Sequence, residues 1–168
     1  MSFHAPLEDV ALRSAQPHFD RLNGLANEVA KLGEHFWPIY TYYFPQSWFT
    51  VIARLLRLKP MPDFAKYRSE LQRFRDDAWR IATEAKMSGE AILRAGVSKP
   101  FQDAARLCFD FVHADATIIV LFHNYVKAMD EMDAETADQS LGAMREFSRR
   151  SRESRKKIGS VQRALPQV

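Results

Sequence analysis

The sequence predicts an all-α protein, an elongated bundle of four to five helices with a central buried helix over about residues 99–130. Three observations support this prediction. Apolar residues recur at helical spacing through most of the chain, glycine is scarce at 6 of 168 residues, and helix-favouring Ala, Leu, Arg and Glu are plentiful. The length suits one domain, residues 1–168, with a sizeable core.

Residues 6–35 are predicted to form the first helix, with one apolar stripe and with Pro17 restarting or kinking it. The aromatic segment, residues 36–59, follows. Pro38 and Pro45 argue against one continuous helix through it, and a short amphipathic helix is predicted to begin at Pro45. We expect the aromatic segment to form a cap or arm at one end of the bundle.

The aromatic segment also has the composition of a docking surface. Aromatic residues beside a short, basic, amphipathic helix are typical of interfacial membrane anchors. The alternatives of a packed cap and of a membrane or partner docking site therefore both stand. The candidate membrane-binding or partner-binding residues are Trp37, Trp48, Phe49, Ile52, Leu56, Arg54 and Arg57.

Two further helices are predicted along the sides of the bundle, over about residues 62–95 and 136–165. In each, the apolar positions step by alternating threes and fours, which is the pattern of a coiled-coil seam. Gly96 is a suitable stop for the first of them. The seam of the second includes Ser151 and Ser154, which allow close approach but bury little apolar surface, so we expect the middle of this helix to be weakly held.

The central helix is predicted from the stretch Pro100–Met129, which is apolar nearly all the way round. At about 100° per residue one wide face collects Phe101, Ala104, Cys108, Phe111, Ile118, Ile119, Phe122, Val126 and Met129. Such a helix should be buried against several neighbours. Ser98 and Pro100 mark its start, since serine is a common N-cap and proline is tolerated in the first turn.

Asp115 interrupts the apolar face of the central helix, one heptad after Cys108 and one before Phe122. A buried carboxylate has to be paired, hydrogen-bonded or protonated, because isolated charge in an apolar medium is costly. One interpretation is a structural carboxylate satisfied by a facing helix or by water. The other is a functional carboxyl in a small-ligand pocket.

A basic patch is predicted on the last helix. Between Arg145 and Arg163 there are eight basic and two acidic residues, while the whole chain carries a net charge of only +3. The patch consists of Arg149, Arg150, Arg152, Arg155, Lys156 and Lys157. It is either a solvated helix face or a surface that attracts anionic lipid, an acidic protein or nucleic acid.

No catalytic residue, metal or cofactor is predicted. The single cysteine excludes an intramolecular disulfide and a paired-cysteine metal site. Asp110 and His113 have the spacing of a helical metal-ligand pair, but a di-iron bundle needs a second such pair, which the chain lacks. There is no phosphate-binding loop or dinucleotide fingerprint. With no apolar leader or membrane span, we expect a cytoplasmic protein that is soluble or peripherally attached to a membrane.

Three functions are consistent with these features. The first is a non-enzymatic interaction module that docks on an anionic membrane surface or a partner helix through the aromatic segment and the basic patch. The second is a structural bundle that forms a homo-oligomer. The third is a small-ligand pocket or enzyme around Asp115, with aromatic walls from residues 36–49. Nucleic-acid binding is disfavoured, because the aromatic and basic residues lie in different segments.

Overall fold

Four helices make up most of the described structure. The computed structural model describes residues 5–44, 56 and 62–164. The helices are α1 (Ala5–Tyr43), α2 (Arg68–Arg94), α3 (Lys99–Asp130) and α4 (Ala134–Ala164). The prediction of an all-α fold is confirmed, and the described residues contain no strand.

The central position in the bundle belongs to α3, which packs against each of the other three helices. α1, α2 and α3 also pack against one another and form a three-helix unit. α4 differs, because within the described residues it packs only on α3. Successive helices run in opposite directions, as the ion pair between Arg68 in the first turn of α2 and Asp130 in the last turn of α3 illustrates.

The core is richest in aromatic rings near the C-terminal end of α1. Phe122 of α3 is fully buried there, with its ring centroid 5.0 Å from that of Phe36 and 5.2 Å from that of Tyr40. The predicted apolar seam of α2 is confirmed, since its buried residues include Leu71, Phe74, Ala78, Ile81, Ala85, Ser88 and Ile92. Burying a side chain of the size of Leu or Ile contributes about 1.5–3 kcal/mol to folding.

α1 runs unbroken through both of its prolines, so the predicted interruption at Pro38 is wrong, and the helix does not restart at Pro17. Each proline removes the N–H that would bond the carbonyl four residues earlier, at Arg13 and at Glu34. All four of these residues are exposed, so water can reach the two carbonyls. The opposite side of the helix stays packed in the core, which offsets the lost hydrogen bonds.

The helix boundaries follow local capping interactions. α2 begins at Arg68 instead of near residue 62, because residues 64–67 form a turn in which Asp63 Oδ1 accepts the Ala65 N–H at 2.9 Å. Gly96 follows the end of α2 with φ of +73°, a left-handed conformation that glycine adopts without strain. At the start of α4, Asp133 Oδ1 accepts the Thr136 N–H at 3.0 Å, as an N-cap side chain does.

A network of four charged side chains joins α1 to α2. Arg21 pairs with Glu28 and Glu84, and Arg80 pairs with the same two carboxylates at 2.9 and 3.0 Å. The hydrogen bond from Arg80 is the main reason why the pKa of Glu28 is lowered, and that from Arg21 lowers the pKa of Glu84. The side chains are partly exposed, so the network orients the two helices more than it stabilises them.

Candidate docking groove

An open groove separates α1 from α4. Both helices pack on α3, yet among the described residues no Cα atom of α1 lies within 8 Å of a Cα atom of α4. The space between them measures about 690 Å³. This α1–α4 groove is lined by Val29, Ala30, Gly33, Glu34, Phe36, Trp37 and Tyr40 of α1, by Asp115, Ile118 and Ile119 of α3, and by Ser148 and Arg155 of α4.

The floor and the α1 wall of the groove are largely apolar. Ile118 and Ile119 of α3 form the floor. On the α1 wall, the Trp37 ring stacks on Tyr40 with centroids 5.3 Å apart and planes 15° apart. Trp37 remains 49% exposed although it is large and apolar. Gly33 adds free space on the same wall, since a Cβ atom built there would have no neighbour within 4 Å.

Asp115 lies between the floor and the α4 wall, where two residues of α4 satisfy it. Its Oδ1 accepts a hydrogen bond from the hydroxyl of Ser151 at 2.5 Å, and its Oδ2 accepts one from Nη2 of Arg155 at 2.8 Å. The Arg155 guanidinium also lies over the Phe111 ring, 4.8 Å from its centroid. This cluster fixes the position of Arg155 at the edge of the groove.

A separate opening lies nearer the N-terminal end of α1. A second, apolar cavity of about 280 Å³ lies between the same three helices, with Leu12 and Phe19 of α1, Phe101 and Cys108 of α3 and Ile158 of α4 in its walls. Burial raises the pKa of the Cys108 thiol, which keeps it protonated and unreactive at neutral pH.

The basic residues of α4 divide between two sides of the helix. Glu146 and Arg150 pair with each other on the side away from the groove, and Arg149, which lies between the two sides, pairs with Glu146 and Glu153. On the groove side, Arg145, Ser148, Arg152 and Arg155 recur at intervals of three, four and three residues and form one stripe. Asp115 is the carboxylate that pairs with this stripe.

The structure brings together residues from three of the predicted features. Trp37 of the aromatic segment, Asp115 and Arg155 of the basic patch all line the α1–α4 groove. Arg152 lies on the groove-side stripe and donates through Nε to the Ser148 carbonyl at 3.2 Å, whereas Lys156 is exposed. Arg149, Arg150 and Lys157 lie elsewhere, and Arg150 and Lys157 line a cleft with Asp110 and His113.

Of the remaining candidates, only Leu56 is among the described residues, and it is 64% exposed. The other five lie outside the described part of the chain: Trp48, Phe49, Ile52, Arg54 and Arg57.

Nine of the twelve residues that line the groove were not among the predicted site residues, including Gly33, Ile118 and Ser148. A signal for the α1 wall does exist in the sequence, because small residues occur beside the core stripe at Ala26, Ala30 and Gly33, followed by Trp37. No comparable signal marks Ile118, which reads as one more apolar residue of the central helix.

The histidines of α3 lie outside the groove. His123 is buried and its Nδ1 is 3.3 Å from Oδ1 of Asn124, while the His113 ring lies between Phe109 and Phe147. Burial lowers the pKa of both imidazoles. Neither histidine belongs to a group of three or more potential metal ligands within the described residues.

Comparison with known proteins finds no relative: no family model, no curated protein and no solved structure matches the chain. Among the described residues, no helix is long and apolar enough to cross a membrane.

Proposed function

We propose that the protein is a non-enzymatic helical docking module whose α1–α4 groove receives a helix of a binding partner. The observation that carries this proposal is the separation of α1 from α4, although both pack on α3. Amphipathic helices bind other proteins by laying an apolar face into such grooves. Trp37 and Tyr40 supply a large aromatic contact, which is the kind of residue that dominates binding energy at interfaces.

A helix suits the shape of the groove better than a flat surface does. Packed helix axes lie about 8–10 Å apart, and small residues allow the closer distances. Ala30 and Gly33 are the small residues of the α1 wall, and Ser148 is the small residue of the α4 wall. A helix seated there would contact α1, α3 and α4 together and would complete the burial of the exposed Trp37 ring.

We also propose that residues 45–59 add a fifth helix that caps the aromatic end of the bundle. Described residues on either side of this segment meet the same cluster of rings. Phe44 packs on Phe122 and Tyr125 of α3 with centroids 5.8 and 5.0 Å apart, while Tyr43 stacks on Phe64 at 5.4 Å. Tyr43 Oη also donates to the Asp63 carbonyl at 3.2 Å. A segment anchored at neighbouring points is suited to folding over that end.

Filling the groove from within tests the proposed function. Gly33→Leu would place a side chain in the free space of the α1 wall, while Gly142→Leu makes the same change on the exposed side of α4, also with no neighbour within 4 Å. The probe is a labelled amphipathic helical peptide of about 18 residues with a leucine face and glutamine flanks, since shorter helices are marginal in water.

Binding of this neutral peptide is followed by fluorescence anisotropy, and helix content by circular dichroism. We expect Gly33→Leu to weaken binding about tenfold or more, because overpacking costs about 1–3 kcal/mol, and Gly142→Leu to bind as the unmodified protein does. Equal affinities for both variants, or no binding to the unmodified protein, would contradict helix docking in this groove.

Docking on an anionic membrane surface is the second candidate function. The exposed Leu56 side chain favours it, together with the apolar and basic residues that surround it in the sequence. Its test is co-sedimentation with vesicles of anionic or of neutral lipid at low and moderate salt, with tryptophan emission recorded. Binding to anionic vesicles with a blue shift supports it, and absence of binding to either vesicle excludes it.

A further inference from the structure

The two walls of the α1–α4 groove differ in charge. Arg145 and Arg152 lie on the same helical stripe as Ser148 and Arg155, which line the groove. Neither Arg145 nor Arg152 forms an ion pair within the described residues, whereas Arg155 is paired with Asp115. The two glutamates of this part of α4 lie on its far side and pair there with Arg149 and Arg150. The α4 wall therefore carries a surplus of positive charge.

The α1 wall does not balance this surplus. The one charged residue that α1 contributes to the groove lining is Glu34, and its side chain is exposed to solvent. The residues between the two walls are the apolar floor and Asp115, whose charge is already compensated by Arg155. An occupant of the groove thus meets an apolar floor and an aromatic wall on one side, and Arg155 on the other, with the exposed Arg145 and Arg152 beside it on the flank of α4.

Building on the helix docking proposed above, we infer that the partner is an amphipathic helix with an acidic flank that faces the α4 wall. Its apolar face contacts Trp37 and Ile118, and its carboxylates pair with Arg145 and Arg152. Complementary charge of this kind selects the partner and sets its orientation in the groove. Arginine is well suited to the task because its planar guanidinium binds a carboxylate through two parallel hydrogen bonds.

The geometry of α4 gives the spacing of the acidic residues. Arg145 and Arg152 are seven residues apart, which is about 10 Å along a helix. A partner helix that runs alongside α4 presents carboxylates at the same separation when they too are seven residues, or two turns, apart. The acidic flank is therefore expected to carry Asp or Glu at positions i and i+7, beside an apolar face with period three to four.

The charge of residues 45–61 argues against this segment of the same chain as the helix that binds in the α1–α4 groove. Residues 45–61 contain Arg54, Arg57 and Lys59 and no acidic residue. Placed in the groove, they would add like charge beside Arg145 and Arg152, and like charges that face each other across an interface disfavour binding. A helix from a different molecule with the opposite charge fits instead.

Three labelled peptides of about 18 residues test this inference. They share one leucine face and carry on one flank, at positions i and i+7, glutamate, glutamine or lysine. We expect the acidic peptide to bind about tenfold more tightly than the neutral one and the basic peptide to bind most weakly, with differences that shrink as salt is raised.

Two charge-matched double variants locate the contact. Arg145→Glu with Arg152→Glu should weaken binding of the acidic peptide about tenfold and make the basic peptide the preferred ligand. Arg150→Glu with Lys157→Glu changes the net charge equally, at the same seven-residue spacing, in the cleft on the far side of α4 and should keep the original preference. The reversal of preference is a gain of binding, which an unfolded variant does not show.

The outcomes distinguish failure of helix docking in the groove from failure of the acidic flank. Equal binding of all three peptides, weakened by Gly33→Leu, would keep the docking groove and overturn the acidic flank. No binding of any peptide would overturn both. Equal effects of the two double variants would assign the preference to net charge and overturn the role of Arg145 and Arg152. Binding to anionic vesicles in the absence of peptide binding would replace the acidic helix by a lipid surface.

Discussion

Arg155 of α4 and Asp115 of α3 form an ion pair in which the two side chains differ in solvent exposure. The guanidinium Nη2 lies 2.8 Å from Oδ2 of Asp115, and the arginine side chain is 62% exposed whereas the aspartate side chain is only 18% exposed. Loss of the aspartate leaves an arginine that water can solvate. Loss of the arginine leaves a mostly buried carboxylate whose remaining hydrogen-bond donor from a side chain is Ser151.

The inequality predicts different costs for the two substitutions. We expect Arg155→Leu to lower the free energy of unfolding by about 1–2 kcal/mol, because a poorly solvated charge loses its partner, and Asp115→Asn to lower it by less. Urea denaturation of both variants and of the unmodified protein measures the difference. A larger loss for Asp115→Asn than for Arg155→Leu would contradict this account of the pair.

The connection between α3 and α4 contains a strained residue. Met132 has φ of +59°, and the turn is closed by hydrogen bonds from Asp133 N to the Ala128 carbonyl and from Met132 N to the Met129 carbonyl. This is the Schellman arrangement, in which glycine is the favoured residue at the left-handed position. Met132 is also 91% exposed, so its side chain contributes little packing.

Replacing Met132 by Gly should therefore stabilise the protein by about 1 kcal/mol. The reciprocal change, Gly96→Ala, places a Cβ atom at the left-handed residue after α2, where φ is +73°, and should destabilise by a similar amount. Thermal unfolding should shift by about 2–4 °C upward in the first case and downward in the second. Shifts of the same sign would show that backbone strain at these residues does not govern their effect.

The pKa of His123 makes stability depend on pH near neutrality. Burial is the main reason why this pKa lies below its usual value of 6.5, and Arg75 and Lys127 nearby lower it further while Asn124 and Asp76 oppose them. The unfolded chain takes up a proton near pH 6.5, and the folded protein does so only at lower pH. Stability is therefore full above that pH and declines as the pH falls through it. The pKa of His113 is lowered by burial too and acts in the same direction.

We expect the free energy of unfolding to decrease between about pH 7.5 and about pH 5.5, and His123→Gln to reduce that decrease. Urea midpoints at the two pH values provide the measurement, with His113→Gln as a second variant of the same kind. If the variant that combines His123→Gln with His113→Gln kept the pH dependence of the unmodified protein's stability, neither histidine would be responsible for it.

α4 should open before α2 and α3. It packs on α3 alone, and its buried residues include Ser140, Ser151 and Ser154, which contribute little hydrophobic stabilisation. Native-state hydrogen exchange should therefore give α4 amides a lower opening free energy than the amides of α2 and α3. Equal protection of α3 and α4 would mean that the two helices unfold as one unit.

Much of the fold follows from local patterns in the sequence. The alternating spacing of apolar residues predicted that α2 has one buried side, and Gly96 and Pro100 marked the end of α2 and the start of α3 where the structure has them. These features depend on residues close together in the chain. Continuation of α1 through Pro38 was not predicted from the sequence. A helix tolerates a proline on its exposed side, and the packing of the whole bundle decides which side of α1 is exposed.

The groove could be predicted only in part. Trp37, Asp115 and Arg155 were each identified from the sequence, but their meeting in one site requires knowing that α1 and α4 flank the same side of α3. The division of the basic patch was within reach, because helical angles alone separate Arg152 from Arg150. The sequence could not predict which arginine faces Asp115, because that depends on the register between α3 and α4, and a single sequence does not give this register.

The prolines of α1 also restrict how this helix can rotate about its own axis. A rotation that turned Pro17 and Pro38 toward the core would bury two carbonyl groups that have lost their N–H partners, at a cost of about 1–3 kcal/mol each. Competing packings in which α1 is rolled relative to α3 are disfavoured by that amount. Residues that weaken the helix locally thus select a single rotational setting for it, the one in which Gly33 and Trp37 face the groove.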